Sequence, residues 1–430
     1  MLNTLEKNKS QNFLWPWVIC ALGAMYYCYE YFLRISPSVM TPELMRTYDL
    51  TGAQVGNLSA FYYLAYTPMQ LIVGLLMDRY GPRRLLTFAC LLCALGSYLF
   101  ASGYGLLIAQ SGRFLVGFGS AFAFVGALKL ATIWLPPNRF ALISGIITTL
   151  GVAGAMVGDI LLRALVDGMG WQATTFISAA TGLVLAVALW TIVRDENKAD
   201  FLPHAHLVNF HDLVIGLWGI LRNSQIWLVG LIGCLLYLSA SAYAELWGIP
   251  YLEQARGFSK AESATANSMV FLGWAIGAPF WGWFSDYVRR RCLTMGISTF
   301  AALISVCLLL YVPGWSLTAT GFLLFLLGFF TSVEIIVFAL CREASPIKVA
   351  ATAIAFTNML IMFGGNIFQP VIGKVLDLNW DGSMVDGARV YSAAAYQTAM
   401  YVLPIAFGIA IILTFFIRET YGKVHMETTH

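Results

Sequence analysis

Three observations predict an all-α membrane protein of 12 transmembrane helices in two pseudo-symmetric six-helix bundles: the composition, the succession of apolar runs and an internal repeat. Hydrophobic residues make up 59% of the 430-residue chain and charged residues 11%, with a mean hydropathy of +0.74. Soluble domains hold about 45–50% apolar and about 25% charged residues. A chain this poor in charge cannot cover a water-facing surface. That excludes a cytosolic enzyme, a nucleic-acid binder and a disordered chain. In lipid the backbone must satisfy itself, so only helices or closed barrels span. A barrel needs alternating strands of about ten residues. Unbroken runs such as LLTFACLLCALGSYLF (85–100) favour helices.

A spanning helix needs about 20 apolar residues. Windows of that length place spans near 14–36, 54–77, 85–103, 106–130, 141–163, 173–193, 225–247, 263–285, 292–313, 317–340, 350–373 and 396–417. The expected organisation is a cytoplasmic tail (1–12), a first bundle (13–194), a cytoplasmic linker (195–222), a second bundle (223–418) and a second tail (419–430). The polar start MLNTLEKNKSQN leads straight into a full-length span, so no cleavable leader is expected. With both ends inside, 16 of the 25 Lys and Arg fall on cytoplasmic segments, six on outer ones, and Arg34, Arg113 and Lys129 within spans. That asymmetry predicts both termini in the cytoplasm. The linker ends in LVNFHDLVIGLWGILRN, amphipathic enough to lie along the inner surface.

Metal and redox chemistry are not expected. His204, His206 and His211 read as a solvated linker, and CLLC (90–93) as small apolar packing. Neither a nucleotide motif nor a Ser-His-Asp set is present, so an enzyme is not expected.

The halves repeat. Asp78 and Asp286, Gly74 and Gly282, and Pro42 and Pro250 are each separated by 208 residues. LRALVD (162–167) matches IGKVLD (372–377) at a slightly larger offset. Parallel repeats are a transporter architecture, with the substrate site between the halves near mid-membrane.

The connection GLLMDRYGPRRLL (74–86) is a tight turn flanked by charge. It resembles the signature loop of the major facilitator superfamily, Gly-x-x-x-Asp-Arg-x-Gly-x-Arg-Arg. The copy GWFSDYVRRR (282–291) has Arg289 where the second Gly stands. GRFLVGFGSAF (112–122) is similar to the family's Arg-Phe-x-x-Gly-x-Gly motif, with Arg113, Gly117 and Gly119. The resemblance implies an inner gate at Asp78, Arg83 and Arg84, with Asp286 in the copy. It links Arg113 to proton coupling or gating. Span five, GVAGAMVGDILL, resembles the family's antiporter motif, but Asp159 replaces its Pro, which argues against a drug exporter. The string FTNMLIMFGGNIFQPVIG (356–373), SPSVM and YSAAAYQTAM resemble a bacterial branch that includes phagosomal amino-acid and nucleoside transporters, and the lysosomal dipeptide transporter branch.

Charge at the membrane centre costs about 2.5–3.5 kcal/mol on insertion scales, so each case needs a reason. Spans three, six, nine and twelve carry none at their centres and suit the lipid side. Spans one, four, seven and ten, which the resemblance implies line the cavity, carry Glu30 and Arg34, Arg113 and Lys129, Glu245, and Glu334. Glu30 and Arg34 are four apart and share a helix face with Tyr26, Tyr27 and Tyr31 on or beside it. Arg34 suits a carboxylate, which guanidinium binds through two parallel bonds. A self-neutralising structural pair is the alternative. Tyr237, Ser241 and Glu245 form a stripe on span seven; Asn358, Asn366 and Gln369 share a face of span eleven. By the repeat, Gln369 aligns with Asp159. A buried carboxylate without a cation is disfavoured in its charged form. Glu30, Asp159, Glu245 and Glu334 are therefore the proton-coupling candidates, Glu30 first. Lys129 reads as snorkelling to the inner surface.

The expectation is a monomeric bacterial inner-membrane transporter that works by alternating access. It takes up a small carboxylate-bearing solute, an amino acid or short peptide, with a proton. Alternatives are an exporter of drugs or siderophores, an uncoupled facilitator of nucleosides or organic anions, or a membrane sensor.

Overall fold

A computed structural model describes residues 15–135, 140–195, 217–346 and 349–421, with no side chains for 140–142. The tails, the linker histidines and most of the amphipathic linker segment lie outside the described residues.

Among the described residues, twelve helical rods follow one another. The first half holds span one (Trp15–Val39), span two (Gly52–Met69 with Val73–Tyr80), span three (Pro82–Ala101), span four (Leu106–Trp134), span five (Phe140–Met169) and span six (Trp171–Ile192). The second holds span seven (Ser224–Arg256), span eight (Lys260–Val288), span nine (Arg291–Tyr311), span ten (Leu317–Glu343), span eleven (Ala350–Leu378) and span twelve (Ala393–Thr414). By length and composition nine of these helices can cross a membrane, ten with the bent pair of span two. Spans one and eight are the polar remainder: one carries Glu30, Arg34 and four tyrosines, the other Lys260, Glu262, Asn267 and Asp286.

The duplication is visible in small devices. Thr51 with Gln54 and Ser259 with Glu262 form capping boxes that open spans two and eight, and Thr51 and Ser259 are 208 apart. Each box satisfies two end amides that the helix cannot. Gly81 turns at φ 81°, and Arg289, 208 residues on, takes φ 55°. The copy keeps the turn although a side chain there costs steric energy. After the sixth helix of each half an acid caps the third. Asp195 accepts from Arg83 N at 3.0 Å, and Glu419 from Arg291 N and Cys292 N at 2.8 and 2.9 Å. Anions belong at helix N-termini.

Spans three, six, nine and twelve present apolar side chains outward, with Leu95, Val184, Phe300, Ile304, Ile405 and Ile412 exposed. The halves meet along three seams: spans two and eleven, five and eight, one and seven. At the first seam backbones touch: a Cβ on Gly373 would strike Gly52, and one on Gly56 would strike Gln369 and Pro370. Small residues permit such approach, which dispersion then rewards.

Several helices are irregular. Span two bends by 62° beyond Pro68, through the i→i+3 bonds of Gln70, Leu71 and Ile72. Span seven widens into a π-helix at Ser239–Trp247, and span ten tightens into a 3₁₀ turn at Ser332–Ile335. These two segments carry Glu245 and Glu334. Irregular turns of this kind often mark functional positions.

Candidate functional site

Span one brings its aromatic face and its charge pair to the middle of the molecule. Glu30 and Arg34 are buried, at 0% and 2% exposure. Arg34 Nη2 and Nε donate to Glu30 Oε1 at 2.6 and 2.9 Å. The same guanidinium reaches the other half: Nη1 donates to Tyr237 OH at 3.3 Å and lies 3.8 Å from Glu245 Oε1. Its flat faces are covered by Tyr31 at 4.4 Å, Tyr66 at 5.1 Å and Tyr62 at 5.3 Å, a cation–π box. Tyr62 OH donates to Glu30 and Tyr63 OH to Glu245. One cation and two carboxylates thus meet across the seam of spans one and seven, enclosed by tyrosine hydroxyls.

The local sequence explains the shape. Pro37 has no N–H, so the Leu33 carbonyl one turn back loses its helical donor. Arg113 Nη1 donates to that carbonyl at 2.8 Å, with Ser36 Oγ at 2.9 Å, and Arg113 Nη2 to Arg34 O at 3.2 Å. Arg113 also stands 5.2 Å over Tyr62. It therefore props the turn that carries Arg34.

The other expected residues divide. Tyr237 and Glu245 join the cluster directly. Tyr27 reaches it through an edge-to-face contact with Tyr31 at 5.2 Å. Tyr26 turns away and donates to Gly119 O at 2.9 Å within the first half. Ser241 bonds its own helix at Tyr237 O, 3.1 Å, and its carbonyl accepts from Gln369 Nε2 at 2.7 Å. Asn358 crosses the first seam to Gln70 Oε1 at 3.0 Å. Asn366 is half-buried on the same helix. Asp159 lies on the seam of spans five and eight, where Asn267 Nδ2 donates to it at 2.7 Å. Glu334 is buried at 3% exposure and has no described ion pair.

At the signature loop Asp78 pairs with Lys129 Nζ at 2.6 Å. Lys129 is not a free snorkelling chain. Arg83 Nε donates to Trp190 O at 2.9 Å, its guanidinium 4.4 Å over that ring, while Arg84 is exposed. In the copy Arg291 bridges Asp286 at 2.6 Å and Glu343 at 2.9 Å. Each of these networks lies within one half.

The far end differs. Asp377 of span eleven accepts from Gly52 N and Ala53 N, both at 2.8 Å, capping span two across the halves. Lys260 of span eight stands 3.6 Å from Glu43, which also takes Arg163 at 3.3 Å. This end is sealed by bonds between halves.

Sequence reading passed over Tyr62, Tyr63, Tyr66, Asn267 and Gln70. The tyrosines sit in AFYYLAYTP, where hydroxyls in an uncharged span were the available signal. Among the described residues no group of three or more His, Cys, Asp or Glu could hold a metal.

The model of the Major Facilitator Superfamily matches residues 20–370 and 248–425. The chain belongs to this superfamily. Its members are transporters rather than enzymes, and this chain is a multi-pass membrane protein with a small-molecule solute. It is 26% identical over 404 residues to the membrane sensor protein UhpC of Escherichia coli, covering 88% of this chain and 89% of the relative. It is 23% identical over 409 residues to a probable hexose phosphate transport protein of Chlamydia muridarum, covering 88% of each. The fold is similar to a bacterial homolog of the human lysosomal transporter Spinster, with TM-score 0.72, 14% identity and 95% and 96% coverage. It is also similar to the nucleoside transporter NupG, with TM-score 0.71, 14% identity and 93% and 98% coverage.

Proposed function

We propose that this superfamily member carries a small zwitterionic carboxylate solute, an amino acid or short peptide, across a bacterial inner membrane. Transport is by alternating access, inward and together with a proton. The observation that carries the reading is Arg34 between Glu30 and Glu245. Glu30 and Glu245 flank Arg34, and Arg113, 5.2 Å over Tyr62, balances the second acid. A phosphate ester bearing two charges would have to displace both carboxylates to reach Arg34. A zwitterion offers a carboxylate to Arg34 and an ammonium to Glu245, opening the longer of the two ion pairs, at 3.8 Å. Like-charge juxtaposition costs several kcal/mol, so the two acids select against dianions.

The Lys and Arg count supports reading the sealed end as the outer one, with both termini cytoplasmic. The present conformation is then closed to the outside. The signature-loop networks belong to the inner gate, and a single chain carries the whole path as a monomer.

A ligand that binds only the folded state raises its melting temperature. The test is a thermal-shift screen of the purified chain against amino acids, dipeptides, hexose phosphates, nucleosides and hydrophobic cations. Amino acids or dipeptides are expected to stabilise. Stabilisation by hexose phosphates alone would replace this reading with organic-phosphate transport, which the Chlamydia relative's name favours. Stabilisation by hydrophobic cations alone would replace uptake with export. Binding without uptake into proteoliposomes would make the chain a sensor, as the Escherichia relative is named.

A further inference from the structure

Asp159 is the buried acid that the central cluster does not use. It is fully buried at the seam of spans five and eight, and its one described bond comes from Asn267 Nδ2 on the opposite half. That nitrogen also donates to Ala244 O at 2.9 Å, so both amide hydrogens are committed and the amide cannot turn over without losing them. Two oxygens are left without a partner, Asp159 Oδ1 and Asn267 Oδ1. Both are acceptors while Asp159 is ionised, and buried acceptors left unsatisfied are destabilising.

We propose that Asp159 is the proton-binding site, where one proton on Oδ1 turns the Asp159–Asn267 contact into a two-bond acid–amide pair across the halves. The proton comes from a hydronium ion of the bulk solvent, whose O–H bond breaks to leave water, and the new acid O–H donates to Asn267 Oδ1. No bond within the protein breaks. Among the described residues of the elements packed against span five, each cation has another partner. Span seven brings an acid, Glu245, next in sequence to Ala244, whose carbonyl Asn267 holds. From span one, Arg34 is held by Glu30; from span four, Lys129 is held by Asp78. On span five itself Arg163 is taken by Asp167 at 2.5 Å and Glu43, and span six carries no charged residue. On span eight Lys260 turns to Glu43, Glu262 to its own cap and Asp286 to Arg291. Ionised, Asp159 would bring an uncompensated charge into a buried seam. Losing the proton therefore favours parting spans five and eight, which opens the sealed end. This rests on the proton-coupled reading above and gives it a residue.

The experiment uses the full chain and needs no solute. Infrared spectra are recorded from acid to alkaline pH for wild type, Asp159→Asn, Asn267→Leu and Glu334→Gln. In parallel, nitroxides on Arg46→Cys and Met384→Cys report the distance across the sealed end, with Cys28, Cys292 and Cys307 replaced by Ser. Asp159→Asn is expected to lose one hydrogen-bonded carboxylic-acid carbonyl band, while Glu334→Gln keeps that band. Asn267→Leu should move the band to the frequency of an unbonded acid. The label distance should lengthen at alkaline pH in wild type and become independent of pH in Asp159→Asn, whose short distance would also show that it folds. An Asp159→Asn spectrum and distance profile like wild type would overturn the proposal. So would an Asn267→Leu band that does not move. Proteoliposomes loaded with pyranine and given a casamino-acid mixture test coupling separately. No proton entry there, with the band still assigned to Asp159, would sink the coupled reading and leave the proton site standing.

Discussion

Arg34 lies 2.6 Å from Glu30 of its own half and 3.8 Å from Glu245 of the other. One guanidinium thus joins the two halves. Arg34→Ala leaves two buried acids facing each other. Removing one partner of a buried ion pair costs about 3–5 kcal/mol. The expected outcome is loss of solute-induced thermal shift together with a lower melting temperature. Arg34→Ala combined with Glu30→Gln should recover much of the melting temperature and none of the binding. Recovery of binding would make Arg34 structural.

Glu245→Gln keeps the shape of the side chain and removes one negative charge. Amino-acid affinity is expected to fall about tenfold or more, the equivalent of about 1.4 kcal/mol. Affinity for a monocarboxylate lacking an amine should hold or rise. Calorimetric titration of both ligand types checks the pair of directions.

Asp377 caps span two from the opposite half through Gly52 N and Ala53 N. Losing a helix cap costs about 0.5–2 kcal/mol. Asp377→Ala should therefore shift the closed-to-open ratio at this end by roughly tenfold, since about 1.4 kcal/mol is a factor of ten. The label pair at positions 46 and 384 reads that ratio.

Gly373→Leu puts a side chain into the Gly52 backbone. Overpacking costs about 1–3 kcal/mol. Because the clash lies between halves and not inside one, expression and solubility should be near normal while transport is lost. A severe loss of folded protein would show that the seam is needed for folding too.

Arg113 and Pro37 act on one carbonyl, that of Leu33. Pro37→Ala returns the helical N–H, so Arg113→Gln should cost less in that background than alone. A coupling of about 1 kcal/mol is expected from a double-mutant cycle in thermal unfolding, the scale of one hydrogen bond. Additive costs would separate the two residues.

The sequence was most legible where physics acts locally. The span positions, the duplication, the lipid-facing helices and the Glu30–Arg34 pair follow from hydropathy, offset and helical spacing. Partners across the seams were not legible, because spacing along one helix says nothing of the helix opposite. Tyr62 and Tyr63 carry no charge, so no charge pattern marks them, yet they hold the two acids of the cluster. Tyr26 shares the face that periodicity predicts, but its hydroxyl reaches the Gly119 carbonyl first. Asn267, a single amide in span eight, acquires meaning only beside Asp159.

The wide turn of span seven, Ser239–Trp247, has a mechanical consequence. A π turn holds one more residue than an α turn, and each residue of an α-helix advances by about 100°. The segment therefore works like a slipped thread in a screw. If the extra residue migrated along the rod, Glu245 would swing off Arg34 while the ends of span seven kept their places. A side chain could then change partners without its helix having to tilt.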